Sequence, residues 1–243
     1  MVVDHERHRV IWAHDGVGGD VFDLFFKALT PEQHASIRVV TGDGARWIDP
    51  CVGRWRPNAE RVLDGFHIVS WMTDALDKVR NRLWNQARRD GDEKTTKRMR
   101  GVKYAVLKNP GDLTDRQSEA FGNLRNTGPK GQLYRSWQLK ELLRTLLKHP
   151  LEQARGELRH WVFRASHSRI PEIVEPAKKI RRRRPDILRT IQLGYSNARL
   201  EAFNNRIKVT IRMAYGFHRV TNLIALIMLR CGGLDIRLPQ PTI

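Results

Sequence analysis

Acidic residues are scarce in this chain, cysteine is nearly absent, and no apolar run is long. Against 44 Lys and Arg there are only 26 Asp and Glu, which leaves a formal charge of +18 on 243 residues and a pI near 10.7. A polyanion comes first, because each neutralised phosphate releases counterions. Two cysteines, Cys51 and Cys231, make neither a disulfide scaffold nor a four-cysteine zinc site, and both are expected reduced and buried in a cytosolic protein. The longest apolar run, Leu223 to Leu229, falls far short of the roughly 20 residues of a membrane span, and no basic-then-apolar leader pattern is present. Nucleic acid therefore fits better than a membrane surface. No Gly-rich phosphate loop, Ser/His/Asp order, Cys-pair motif or repeat rises above background. Seven tryptophans favour a folded protein over a disordered basic tail.

The front of the chain reads as α/β. Met1–Val3 and Arg9–Ala13 pattern as a hairpin with Asp4 to His8 as its turn, and Val21 to Leu29 suits a short helix closed by Pro31. Ile37–Gly42 is a strand running into Asp43-Gly44; Ala45 to about Arg54 suits a helix, and Arg61–Leu63 is a short strand ending at Asp64. From Ile68 the period changes. Ile68, Met72, Leu76, Val79 and Leu83 recur as on an amphipathic helix. A charged, Gly-containing patch follows from Arg88 to Arg100, then helices near 114–125, 133–148, 151–166 and 171–183, punctuated by Pro150, Pro171 and Pro185.

Near the C-terminus, Asn197, Glu201, Asn204, Lys208 and Arg212 form one polar stripe at helical spacing, beside an apolar stripe of Leu200, Phe203, Ile207 and Ile211. A solvated surface helix with Ser196 as N-cap is one reading of this segment. A carboxylate for a metal, flanked by amides and cations for phosphates, is the other. Two asparagines on one face, where they are poor helix formers, suit the second, and this segment alone leaves both readings open.

Four stretches occur in order: Thr41-Gly42-Asp43-Gly44-Ala45-Arg46-Trp47-Ile48, Asp64-Gly65-Phe66-His67-Ile68-Val69-Ser70-Trp71, Thr73 to Arg80, and Asn197 followed by Glu201-Ala202-Phe203-Asn204-Asn205-Arg206-Ile207-Lys208. Together they resemble the DDE-type insertion-sequence transposases of the ISL-three group, from Met1 to about Leu229. The resemblance implies an α/β fold, an RNase H-like core with a mixed sheet, interrupted by a large all-α insertion. The implied divisions are 1–67 for the first part of the core, 68–190 for the insertion, and 191–243 for the catalytic-Glu helix, the end of the core and a tail. It also implies Mg2+- or Mn2+-dependent cleavage and transfer of DNA strands, in the bacterial cytoplasm at the nucleoid.

Residue by residue, Asp43 matches the family's second acidic metal ligand and Glu201 the third. Asp64 and His67 match an Asp-x-x-His element, read as a hydrogen-bonded pair orienting the base of the insertion, and Tyr215-Gly216-Phe217 matches the segment after the catalytic helix. Asp43-Gly44 also reads as a simple turn after a strand. One departure stands out: the strand bearing the family's first Asp has no counterpart, nor does its N-terminal recognition region. The expectation is a truncated transposase, inactive alone. Asp4 is the one substitute ligand, and a turn former is its competing reading. A non-catalytic DNA-binding remnant, acting through DNA or through an interface shared with another copy or an intact transposase, is the alternative function.

The run Lys178, Lys179, Arg181, Arg182, Arg183 and Arg184 is a solvated linker or a phosphate track, and Asn197, Asn204, Lys208 and Arg212 join it as candidate DNA contacts. Trp137 and Trp161 fall in helical patterns, where core packing is the default and stacking on a flipped base is the minor option.

Overall fold

Strands and helices are combined in one unit of the computed structural model and helices dominate the other; the structure describes residues 1–122, 131–194 and 198–234. Residues Met1–Arg61 with Ser196–Ile243 form one unit and Val62–Tyr195 the other.

The first unit opens with β1 (Val2–Asp4) and β2 (Arg9–Trp12), antiparallel, with Val3 opposite Val10 and a bulge between Val2 and Val3. Asp4 makes the turn. Its Oδ1 accepts the N–H groups of Glu6 and Arg7, each at 2.9 Å, and its Oδ2 meets the Arg7 guanidinium at 3.2 Å. Burial opposes ionisation of this carboxyl, but those three bonds outweigh it and hold its pKa below the usual range. Then come α1 (Gly19–Lys27), α2 (Pro31–Ser36), β3 (Val39–Gly42), α3 (Ile48–Trp55) and β4 (Glu60–Leu63), whose last two residues belong to the second unit. Thr30 and Gln33 close a reciprocal capping box at the start of α2.

Alternation along the hairpin gives it two apolar faces. Val3 and Val10 pack with Ile227, Cys231, Phe203 and Ile207, which lie on two helices from the far end of the sequence. Val2 and Trp12 pack instead with Phe22, Phe25 and Phe26 of α1 and with Cys51 and Trp55 of α3. Asp23 ties α1 to α3 by accepting from Cys51 Sγ, Trp55 Nε1 and Arg54. Burial, then the neighbouring Asp23 carboxylate, pushes the Cys51 thiol up to about 12, so it stays protonated and inert.

α/β organisation is present, but the expected mixed sheet is not. Among the described residues the strands make two separate pairs, β1 with β2 and β3 with β4. β3 is tied to the hairpin by side chains, Thr41 Oγ1 to His5 Nε2 at 2.9 Å and Arg38 to Glu6 at 3.3 Å, in place of a backbone ladder. Strands of three or four residues offer few ladder positions, so side-chain ties suffice to hold them side by side.

The second unit is helical: α4 (Gly65–Arg89), α5 (Glu93–Gly101), α6 (Lys103–Leu107), α7 (Asp115–Gly122), α8 (Gln132–Leu146), α9 (Leu151–Ser166), α10 (Pro171–Arg182) and α11 (Arg184–Leu193). Asp64 caps α4 by accepting from Phe66 N–H. Ile68, Met72, Leu76, Val79 and Leu83 all point into its core, as their spacing predicts. Within the charged patch after Arg88 the chain forms α5, capped by Asp92 on Thr95 N–H. α5 buries only Met99, so no apolar period announced it. Trp161 is fully packed, with Nε1 donating to the Leu139 carbonyl at 2.7 Å, and Trp137 lies against Phe121 and Tyr134, so both tryptophans are core residues.

Arg82 of α4 and Glu172 of α10 form the longest-range ion pair of this unit, at 2.6 Å. Burial raises the Glu172 pKa, yet the Arg82 bonds and its own backbone N–H bring it below the ordinary value. A depressed carboxyl contributes stability above its unfolded pKa and loses that contribution as pH falls through its folded pKa. Glu172→Gln is therefore expected to cost about 1–2 kcal/mol at neutral pH. The gap from wild type should close in acid, below the carboxylate range. Urea unfolding at both pH values checks this; an equal gap at both would refute it.

Helices α12 (Ala198–Met213) and α13 (Val220–Cys231) complete the first unit. Their apolar side chains Phe203, Ile207, Leu223, Ile227 and Met228 pack with Val3 and Val10 of the hairpin.

Candidate DNA-acting site

Asp43 leaves the end of β3 as an exposed side chain. Its Oδ1 accepts from Ala45 N–H at 3.0 Å, and Oδ2 has no partner among the described residues. Arg61 of β4 fixes the backbone beneath it. The guanidinium donates to the carbonyls of Asp43 and Val40 and pairs with Asp49 of α3 at 3.0 Å. Gly42 beside it is closely packed: a Cβ there would lie 3.3 Å from Ile48 Cδ1 and 3.5 Å from the Arg61 guanidinium. Sequence reading named Asp43 but missed Arg61, which carries no motif and acts only once the two strands meet. The turn reading and the ligand reading of Asp43 coexist: one oxygen closes the turn and the other is open.

Glu201 lies on α12, whose helical backbone is described, while its side chain falls outside the described residues, as does Asn197. On the same helix Asn204, Lys208 and Arg212 are exposed, while Phe203 and Ile207 pack against the hairpin core. The predicted polar stripe is thus exposed, and the apolar stripe beside it packed, wherever the side chains are described. Asp4 is committed to its turn.

Asp64 and His67 do not pair. Asp64 caps α4, and the His67 ring meets the edge of Trp71 at 5.4 Å. An Asp at N-cap finds the N–H two residues on within easier reach than a ring three residues on.

Helical geometry sorts the basic run. Lys178 pairs with Glu175 at 2.8 Å, Lys179 lies 3.7 Å over the Trp71 ring, and Arg183 pairs with Asp186 at 2.9 Å. Arg181, Arg182 and Arg184 make no ion pair or hydrogen bond among the described residues. These are the members of the run with charge to offer a phosphate.

Among the described residues no three His, Cys, Asp or Glu side chains gather as a metal would require, and no helix is long and apolar enough to cross a membrane.

The family described as Transposase, of the DDE type and ISL3 group, matches residues 1–227. Two proteins named transposase for insertion sequence element IS1557, from Mycobacterium tuberculosis strains CDC 1551 / Oshkosh and ATCC 25618 / H37Rv, are each 38% identical to this chain over 259 residues. Those matches cover 98% of this chain and 58% of each relative. The transposase for insertion sequence element IS1001 of Bordetella parapertussis is 26% identical over 219 residues, covering 89% of this chain and 53% of its own length. The chain thus spans little more than half the length of the curated relatives it matches. No solved structure matches it significantly.

Proposed function

This chain belongs to the DDE-type transposase family of the ISL3 group, and from that premise we propose that it acts on DNA in the transposition of an insertion sequence. The proposed chemistry is cleavage and joining of DNA strands on an RNase H-like core, with Asp43 and Glu201 as two carboxylates of a Mg2+ or Mn2+ centre. The observation that carries it is the open Oδ2 of Asp43, at a strand end braced by Arg61, in the same unit as α12. Carboxylate oxygens suit a hard cation of this kind, although the described side chains do not by themselves complete its ligand set. A bound cation of this class supplies Lewis-acid polarisation and an activated nucleophile. The chain's own residues position it: Arg61 holds the Asp43 backbone, and Arg181, Arg182, Arg184, Lys208 and Arg212 hold DNA by its phosphates.

A specific observation favours a second reading, DNA binding without cleavage by this polypeptide on its own. The Asp4 carboxylate is taken up by Glu6 and Arg7, which leaves the hairpin no open Asp to join Asp43 and Glu201. The 243-residue chain is therefore expected to bind supercoiled plasmid without Mg2+- or Mn2+-dependent nicking. Nicking that Asp4→Asn abolishes would overturn this and make Asp4 the third ligand.

Fe2+ in place of Mg2+, with peroxide and ascorbate, tests the shared centre independently of catalysis. Backbone scission is expected near both Asp43 and Glu201, and Asp43→Asn should suppress both cuts. Scission at one site alone, or insensitive to Asp43→Asn, would sink the pairing.

A further inference from the structure

We infer that a cleft in the helical unit, between α9 and the junction of α10 with α11, is a subsite for one unpaired nucleotide of single-stranded DNA. Phe163 takes the base, and Arg159, Arg181 and Arg184 take the flanking phosphates. The inference rests on the DNA-acting reading above and adds the form of the DNA.

The cleft has a volume of about 230 Å³ and is lined by Arg159, Phe163, Ser166, His167, Arg181 and Arg184 together with Val162, with no acidic residue among them. Arg159, Phe163 and His167 follow one another at four-residue spacing, so α9 presents them on one face. Arg181 lies in the last turn of α10 and Arg184 begins α11, and both line the cleft. None of the three arginines has an ion pair or hydrogen bond among the described residues. Nearby Lys178 and Arg183 are by contrast paired, with Glu175 and Asp186. Three unneutralised cations in one cleft repel each other, and an anion relieves that repulsion.

Phe163 supplies the second half of the site. Its ring is 62% exposed, whereas Val162 beside it is buried and Trp161 is in the core. The ring is held in place: His167 packs on it at 4.3 Å, and the His167 Nδ1–H donates to the Phe163 carbonyl at 2.8 Å. A preset aromatic face beside cations is the arrangement that stacks a nucleobase while its phosphates are neutralised. A duplex keeps both faces of each base covered and gains nothing from such a ring. An unpaired nucleotide does gain, and a cleft of this volume suits one base.

The test compares a short oligothymidylate, an abasic oligonucleotide of equal length and a duplex, each binding the full chain by fluorescence anisotropy. Phe163→Ala is expected to weaken oligothymidylate binding about tenfold, to leave duplex binding unchanged, and to leave the melting temperature unchanged because the ring is exposed. The abasic strand should bind wild type about tenfold more weakly and ignore Phe163→Ala, while Phe163→Tyr restores thymidylate binding. Arg181→Ala and Arg184→Ala should weaken both forms, each lowering the salt slope by about one. Equal thymidylate affinity in wild type and Phe163→Ala, or equal affinity for thymidylate and the abasic strand, would overturn the nucleotide subsite and leave duplex binding standing. A wild-type chain that binds neither form overturns the DNA-acting reading itself.

Discussion

Raising salt from about 50 mM to about 200 mM is expected to weaken duplex DNA binding by this chain on the order of a thousandfold. The magnitude follows from which cations are free. Arg159, Arg181, Arg182, Arg184, Lys208 and Arg212 are without side-chain partners among the described residues, while Lys178 and Arg183 are already neutralised by Glu175 and Asp186. If these free cations neutralise about six phosphates, log affinity falls with log salt at a slope of about −5, which over a fourfold change in salt gives that loss. Phosphate contacts carry no base information, so random duplexes and duplexes ending in insertion-sequence repeats should bind alike. Anisotropy titrations across salt check both points. A slope shallower than about −2 would show that the free arginines do not reach DNA, and strong preference for the repeat at physiological salt would show base readout by residues not identified above.

Replacing Trp161 by alanine is expected to destabilise the helical unit by about 3–5 kcal/mol. The indole is 2% exposed, lies in the same apolar cluster as Leu143, Leu158 and Ile173, and donates Nε1–H to the Leu139 carbonyl of the neighbouring helix. Truncation removes its packing and leaves a void between α8 and α9. Trp161→Phe keeps most of the packing and loses chiefly the hydrogen bond, at about 1 kcal/mol. Urea unfolding followed by far-UV circular dichroism measures both. A loss under about 1 kcal/mol in the alanine variant would mean that the indole is not a core anchor. This expectation also separates Trp161 from Phe163, two residues on: one substitution should change stability, the other should change nucleotide binding.

Local features were legible in the residue pattern. Alternation set the hairpin, and the turn chemistry of Asp4 followed from an Asp beside polar neighbours. The spacing of Ile68, Met72, Leu76, Val79 and Leu83 set the α4 face, and Pro171 and Pro185 marked helix starts. Ordered motifs pointed to the transposase family because they survive as strings, independent of what they touch. Asp43 was legible for the same reason, as an acid directly after a strand.

Which of these residues keep a free group depends on packing between elements distant in the chain. Charge in a sequence is a sum, but charge offered to a ligand depends on partners. Lys178, Lys179 and Arg183 look identical to Arg181, Arg182 and Arg184 until Glu175, Trp71 and Asp186 claim the first three. Arg61 became a brace for Asp43 through β3 and β4, and the two strand pairs replaced an expected mixed sheet because side chains, rather than a ladder, join β3 to the hairpin. Asp64 and His67 likewise found separate partners, one a backbone N–H and the other an indole. Phe163 carried no sequence signal at all. A period of 3.6 residues says which face an aromatic shares, and the packing of α9 against α10 and α11 determines that this ring stays open to solvent beside three unpaired arginines.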